Sequence, residues 1–329
     1  MGAVSAEKSK GVWMNALTQN LIEFFVYGFV LTAITGLIAS WIVRKVSALV
    51  QYRVGPPVMQ PFTDVLKLLG KEQLIPEQAN RFIFSLAPLV ALSSVILLST
   101  MLWRIALHKS TYFAGDVIVI LYLLVMPSLA LILGASASAS PHASIGSARE
   151  IKLLISYELP LLIAFVIVLV KATGKLEQTQ LLSLAAISGL KPIMSISGFL
   201  AFLASILCIQ AKLGLTPFDM AEAETELSGG VLIEYSGPLL AIWKLAQAMM
   251  LISMPLFIVE LFFGGFSPSI YAGIVKFVIV FVLLILIKNT NPRMRIDQAM
   301  KFFWYYCSPV LVIAMVLALI GNYFNLGWL

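Results

Sequence analysis

The chain has 329 residues, 60% of them hydrophobic and 12% charged, and a mean hydropathy of +0.97. Soluble domains run at about 45–50% apolar and about 25% charged, so a water-soluble globular fold is excluded. The 22 Lys and Arg against 16 Asp and Glu leave +6, which in so apolar a chain reads as cytoplasmic loop charge and not as a nucleic-acid footprint. Cys208 and Cys307 lie in apolar runs and are too few for an iron–sulfur or zinc site, which takes about four ligands. His108 and His142 stand outside those runs, which speaks against a haem held between membrane helices.

Stretches close to the roughly 20 residues of a bilayer-crossing helix fall at 21–43, 82–103, 116–139, 151–171, 193–213, 236–260, 268–288 and 305–325. The pattern predicts an all-α polytopic membrane protein with about eight transmembrane helices and short amphipathic connectors, one integral-membrane domain over 1–329. Residues 1–20 are mixed polar and the first apolar run is long enough to span, so no cleavable signal peptide is expected. Thirteen Lys and Arg, Arg149 and Lys212 among them, fall on one side and seven on the other. Cationic loops stay inside, which places both termini outside and makes 44–81 and the acidic segment 212–238 cytoplasmic loops.

In the first loop, Pro61 sits where a helix can begin, and Asp64, Lys67 and Lys71 share a face opposite Leu66 and Leu69. That spacing suits a short helix on the membrane or against a partner, or a solvated connector. The run ASASASP at 135–141 reads as a small-residue helix end, and Arg149, Glu150 and Lys152 follow at the mouth of the fourth span; they suit headgroup-level anchors as well as function. Glu158 lies inside that span, two residues before Pro160. A charge there costs roughly 2.5–3.5 kcal/mol and needs a partner or a wet cavity, while the proline loosens the helix. Residues 174–191 read as a second amphipathic connector. Lys244 in the sixth span is a candidate cationic partner for one of the acids, with snorkelling to the interface as the alternative. Glu23, Asp116 and Glu260 lie at span ends and read as interfacial.

Segment 212–238 carries Asp219, Glu222, Glu224, Glu226 and Glu234, five of the sixteen acids. If 220–227 is helical, Glu222 and Glu226 share a face and repel. A row of partly buried carboxylates suits a proton relay. A solvated acidic face for a basic partner is the second reading, and a hard-cation site the third. No inverted repeat of the kind common in secondary transporters is visible.

The strings RVGPPVMQPFTDVLKLLGKE (53–72), SIGSAREIKLLISYELP (144–160), PFDMAEAETELSGGVLIEYSG (217–237) and NPRMRIDQAMKFFW (291–304) together resemble a known family. It is the NuoH-like, eight-helix membrane subunit of respiratory complex I, which recurs in membrane-bound nickel–iron hydrogenases. The resemblance implies a non-catalytic subunit in a hetero-oligomeric complex of a prokaryotic plasma membrane. It would tie a peripheral arm with iron–sulfur clusters, and a nickel–iron centre in the hydrogenase branch, to antiporter-like membrane subunits, with no cofactor in this chain. By motif match, Glu158, Asp219, Glu222, Glu224, Glu226 and Glu234 take the places of the family's ion-path acids. Arg53, Gln60, Asp64, Lys67, Lys71 and Glu72 take those of the loop that docks under the arm.

Two departures are more like the hydrogenase branch: Gly55, Pro56 and Pro57 run almost directly into Gln60, and Leu215 and Thr216 precede Pro217 where complex I subunits often carry a basic residue. They imply an anchor and ion-translocation subunit of a ferredoxin-fed hydrogenase or sulfur-reducing relative. A quinone- or phenazine-chamber subunit of a complex I-type enzyme is the alternative; a stand-alone secondary transporter and a purely structural anchor stand behind it.

Overall fold

A computed structural model of the chain describes residues 18, 20–107, 115–177, 180–222, 224–324 and 326–328. His108, most of the N-terminal segment and the Glu224 side chain lie outside the described residues. In lipid a backbone must satisfy its hydrogen bonds within its own segment, and every regular element among the described residues is helical. Seven helices are long and apolar enough to cross a membrane: α1 (Asn20–Val50), α3 (Arg81–Leu107), α4 (Asp116–Ala137), α5 (Pro141–Thr173), α7 (Gly237–Phe262), α8 (Ile270–Thr290) and α9 (Ile296–Tyr323). Between the first two lies the amphipathic α2 (Gln60–Leu69), with proline in its first turn as the sequence predicts. The expected fifth span is a 17-residue helix, α6 (Ile196–Lys212). At 1.5 Å per residue it reaches about 25 Å, short of a roughly 30 Å hydrocarbon core.

Helices α5 and α9 begin at 141 and 296 rather than at 151 and 305, because their first turns are polar and helical beyond the apolar run. α5 also runs unbroken through Pro160, whose ring is buried. Widened π-turns occupy Phe24–Leu31 in α1 and Phe302–Cys307 in α9. In each, a hydroxyl five residues on takes up a carbonyl: Thr32 donates to Tyr27 O at 2.8 Å and Ser308 to Phe303 O at 2.8 Å.

α7 is the central element, with most of its length buried against the other helices. It packs on α1 and α3, α3 packs on α4, and α5 packs on α6 and α9. Where α1 crosses α7, a Cβ on Gly36 would run into Ala248 O, so only glycine allows that approach. The outer faces of α1, α8 and α9 carry exposed Ile, Leu and Val, as lipid-facing surface requires.

Polar side chains at the end opposite the acidic loop are tied down. Glu23 pairs with Arg104 at 3.2 Å. Asp116, 3% exposed, accepts from the Leu184 N–H at 2.8 Å and fixes the short helix Leu184–Ile187 of the second connector. Lys276 donates to Gly265 O and Ser267 O at 2.8 and 2.7 Å. Asp116 and Glu260, at the ends of their spans, are both buried within the protein.

Candidate functional site

The acidic loop is folded down onto the helix ends. Its first half is held from three sides: Gln210 Nε2 donates to Thr216 O at 2.7 Å, Thr216 Oγ1 to Lys288 O at 2.7 Å, and Met294 N to Pro217 O at 3.0 Å. Its second half turns at Gly230, which has φ of +52° and whose Cβ, if it had one, would collide with Ala221 O. Only glycine fits there. Tyr235 then locks the segment, stacking on Phe84 with ring centroids 4.1 Å apart and donating to Phe84 O at 3.1 Å. Burial pushes its hydroxyl pKa well above the ordinary value. Ser236 ties the loop to the first loop by accepting from Leu74 N at 2.9 Å.

The acids are distributed among partners. Asp219 accepts from Arg293 at 2.6 Å and Glu226 from Arg149 at 2.6 Å, while Glu222 accepts from Gln247. The Arg149 guanidinium holds the Glu226 carboxyl below its ordinary range. Residues 220–227 do not form one helix; of those described, only Glu224–Leu227 are helical. Glu222 and Glu226 therefore do not share a helical face, and the expected repulsion gives way to separate donors. The acid cluster on a cationic side is explained the same way, since Arg149 and Arg293 from that side neutralise two of its members. Glu234 is half-buried and in no ion pair among the described residues.

Beneath the loop lies a cavity of about 60 Å³, lined by Glu150, Lys212, Asp219, Glu222, Gln247 and Ser128 among others. It has room for about two to four waters. Lys212, whose side chain is fully buried, leads from this cavity deeper into the bundle, donating to Glu158 Oε2 at 3.1 Å. Its ammonium also sits 5.4 Å from the centre of the Tyr157 ring, within cation–π range. Glu150 is 7% exposed, and Glu158, eight residues on, lies about 12 Å further along α5. The arrangement is a chain of ionisable groups from loop to interior: Asp219 and Glu222, then Glu150, Lys212 and Glu158.

Lys244 is not the partner of Glu158 or of any other acid among the described residues, since none of their ion pairs includes it. Lys212 has that place, where the sequence suggested a loop charge. Glu150 is likewise a member of the cluster rather than a headgroup anchor. The signal for Glu150 was its eight-residue spacing from Glu158, which puts the two within about 80° on a helix. For Lys212 the signal was a lysine closing an apolar run directly before the loop. No three His, Cys, Asp or Glu side chains gather as a metal would need among the described residues.

In the first loop, Asp64 pairs with Arg44 at 3.2 Å and accepts from Gln60 at 2.7 Å. Arg53, Lys67, Lys71 and Glu72 are exposed. So are Tyr52, Val54, Met59, Leu66 and Leu69, at 100, 84, 66, 67 and 51%. These are exposed apolar side chains on a loop that also carries exposed basic residues, and none of the described residues covers them.

A family model described as NADH dehydrogenase matches residues 22–319. The chain is 33% identical to an NADH-quinone oxidoreductase subunit of Brevibacillus brevis, over 93% of this chain and 92% of that one. It is 35% identical to NADH-ubiquinone oxidoreductase chain 1 of Mycosarcoma maydis, over 92% and 96%. Among solved structures, a chain of the membrane-bound sulfane sulfur reductase, an archaeal respiratory membrane complex, superposes with a TM-score of 0.76 at 28% identity, covering 94% of this chain and 99% of that chain.

Proposed function

The chain belongs to the NADH dehydrogenase family of membrane subunits, and from that premise we propose that it couples electron arrival at a peripheral redox arm to ion movement through the membrane. The complex is of the complex I type, with a quinone-class acceptor met at the boundary between this chain and the arm. Relatives named as quinone oxidoreductases, at 30–35% identity, support that acceptor. The acidic loop faces the cytoplasm, and the exposed first loop receives the arm.

The observation that carries the proposal is the fully buried Lys212 bonded to Glu158 and opening, with Glu150, onto the cavity under the acidic loop. A unit charge about 10 Å away at an effective dielectric of about 20 is worth about 1.7 kcal/mol, just over one pKa unit. Negative charge arriving above the loop raises the proton affinity of Asp219 and Glu222. A proton taken up there weakens the hold of the loop acids on the cavity, and Lys212 moves between Glu150 and Glu158 as the next carrier. Antiporter-like subunits take the ion onward.

Glu158→Gln and Lys212→Met, each alone in the intact complex in proteoliposomes, should lower coupled ion transport roughly tenfold, the size of that Coulomb term, with electron transfer to a soluble dye retained. The double variant, which removes both members of the buried pair together, separates loss of coupling from the cost of leaving one of them without the other. Undiminished transport in the double variant would remove both residues from the path.

A second reading, a ferredoxin-fed hydrogen- or sulfur-reducing complex, is favoured by the short Gly55-Pro56-Pro57 turn and by the match over 99% of the sulfane sulfur reductase chain. It uses the same ion path with a different acceptor.

A further inference from the structure

At the end of the bundle opposite the acidic loop, a second cavity of about 310 Å³ opens between the end of α5, the start of α6 and the end of α9. Three lysines line it: Lys171 in the last turn of α5, Lys175 just beyond, and Lys191 before α6. None of the three forms an ion pair among the described residues. Like charges brought to one cavity with no carboxylate side chain among its described lining residues repel one another, an arrangement that an anion would relieve.

The walls are fixed by hydrogen bonds rather than left as loose loop. Asn322 Nδ2 donates to Thr173 Oγ1 at 2.9 Å and to Val170 O at 3.3 Å, tying α9 to α5. Ile196 N donates to Trp328 O at 3.0 Å, closing the C-terminal segment over the start of α6. The Lys191 stem lies against Gly264, where a Cβ would fall 3.0 Å from its Cγ. Besides Ser195 and Asn322, the lining includes the apolar Leu190, Ala318, Leu326 and Met194, the last 79% exposed. The turns of α9 that lead up to the cavity expose Val316, Leu319 and Ile320.

We propose that this cavity binds the phosphate of an anionic glycerophospholipid, with Lys171, Lys175 and Lys191 on the headgroup and the acyl chains along α9. A free phosphate would need the cations but not the apolar floor, and a lipid uses both. Lysine serves as a point charge for phosphate, and basic pockets at the ends of membrane helices suit anionic headgroups. The site is independent of the ion path, whose residues lie at the other end of the bundle.

The test is lipid retention by the intact complex, moved from nanodiscs of phosphatidylcholine with phosphatidylglycerol into native mass spectrometry. Selective retention of phosphatidylglycerol is expected, falling about fivefold for each lysine replaced and on the order of a hundredfold for Lys171→Gln, Lys175→Gln and Lys191→Gln together. If the triple variant does not assemble, Lys175→Gln with Lys191→Gln decides, since both side chains are exposed. Equal retention by variant and parent, or equal retention of phosphatidylcholine, would overturn the proposal. Displacement of the phosphatidylglycerol by millimolar inorganic phosphate would overturn the lipid in favour of a free anion.

Discussion

Single residues set the electrostatics of the acidic loop. Arg149 and Arg293 each take one carboxylate, while Glu222 accepts from the Gln247 amide at the cavity wall. Because the Glu226 pKa lies below its ordinary value, the stabilisation from its pair with Arg149 is fully present above the unperturbed carboxylate pKa of about 4.3 and is lost as pH falls through the lower folded value. Glu226→Gln should therefore loosen residues 220–231 at pH 7, read as faster amide exchange after correction for the intrinsic rate. The difference from the parent chain should shrink once the pH is low enough to protonate Glu226 in both states. A constant difference across that range would mean that the pair does not hold the loop. Sequence alone indicated that Glu158 needed a partner, because an isolated charge inside a span is costly. It did not indicate which lysine, since Lys212 is 54 residues away and only the packing of α5 on α6 brings the two together.

Among the elements, the spans were legible because about 20 consecutive apolar residues have few other solutions. Their ends were less so, because the polar first turns of α5 and α9 follow helical geometry that hydropathy does not register. α2 was readable from Pro61 and from the spacing of Asp64, Lys67 and Lys71. Whether 220–227 is helical was not legible, since Gly229 and Gly230 turn the chain and the loop acids find donors on α5, on α7 and on the connector before α9. α2 also yields a direct test. Leu66 and Leu69 are exposed, so Leu66→Glu with Leu69→Glu should leave this chain folded and inserted yet release the peripheral arm, seen as a smaller complex on a native gel. An unchanged assembly would move the docking surface elsewhere.

For the whole molecule, the division of labour runs along the bundle: ionisable groups at one end, a cationic cavity at the other, and a nearly all-apolar α7 between them. The two readings of the acceptor are separated by the metal content of the complex purified through a tag on this chain. Iron without nickel, with quinone-dependent turnover, is expected for the main reading; nickel near one per complex would make hydrogen the product to assay. Ser236 adds a mechanical consequence. Its hydroxyl clasps both the N–H and the carbonyl of Leu74, at 2.9 and 3.4 Å, so the two loops share one rivet. On the proposed function, a neighbour that leaned on residues 51–80 would shift the acid-bearing strap with them, so that assembly alone would tension the ion path before the first electron arrived.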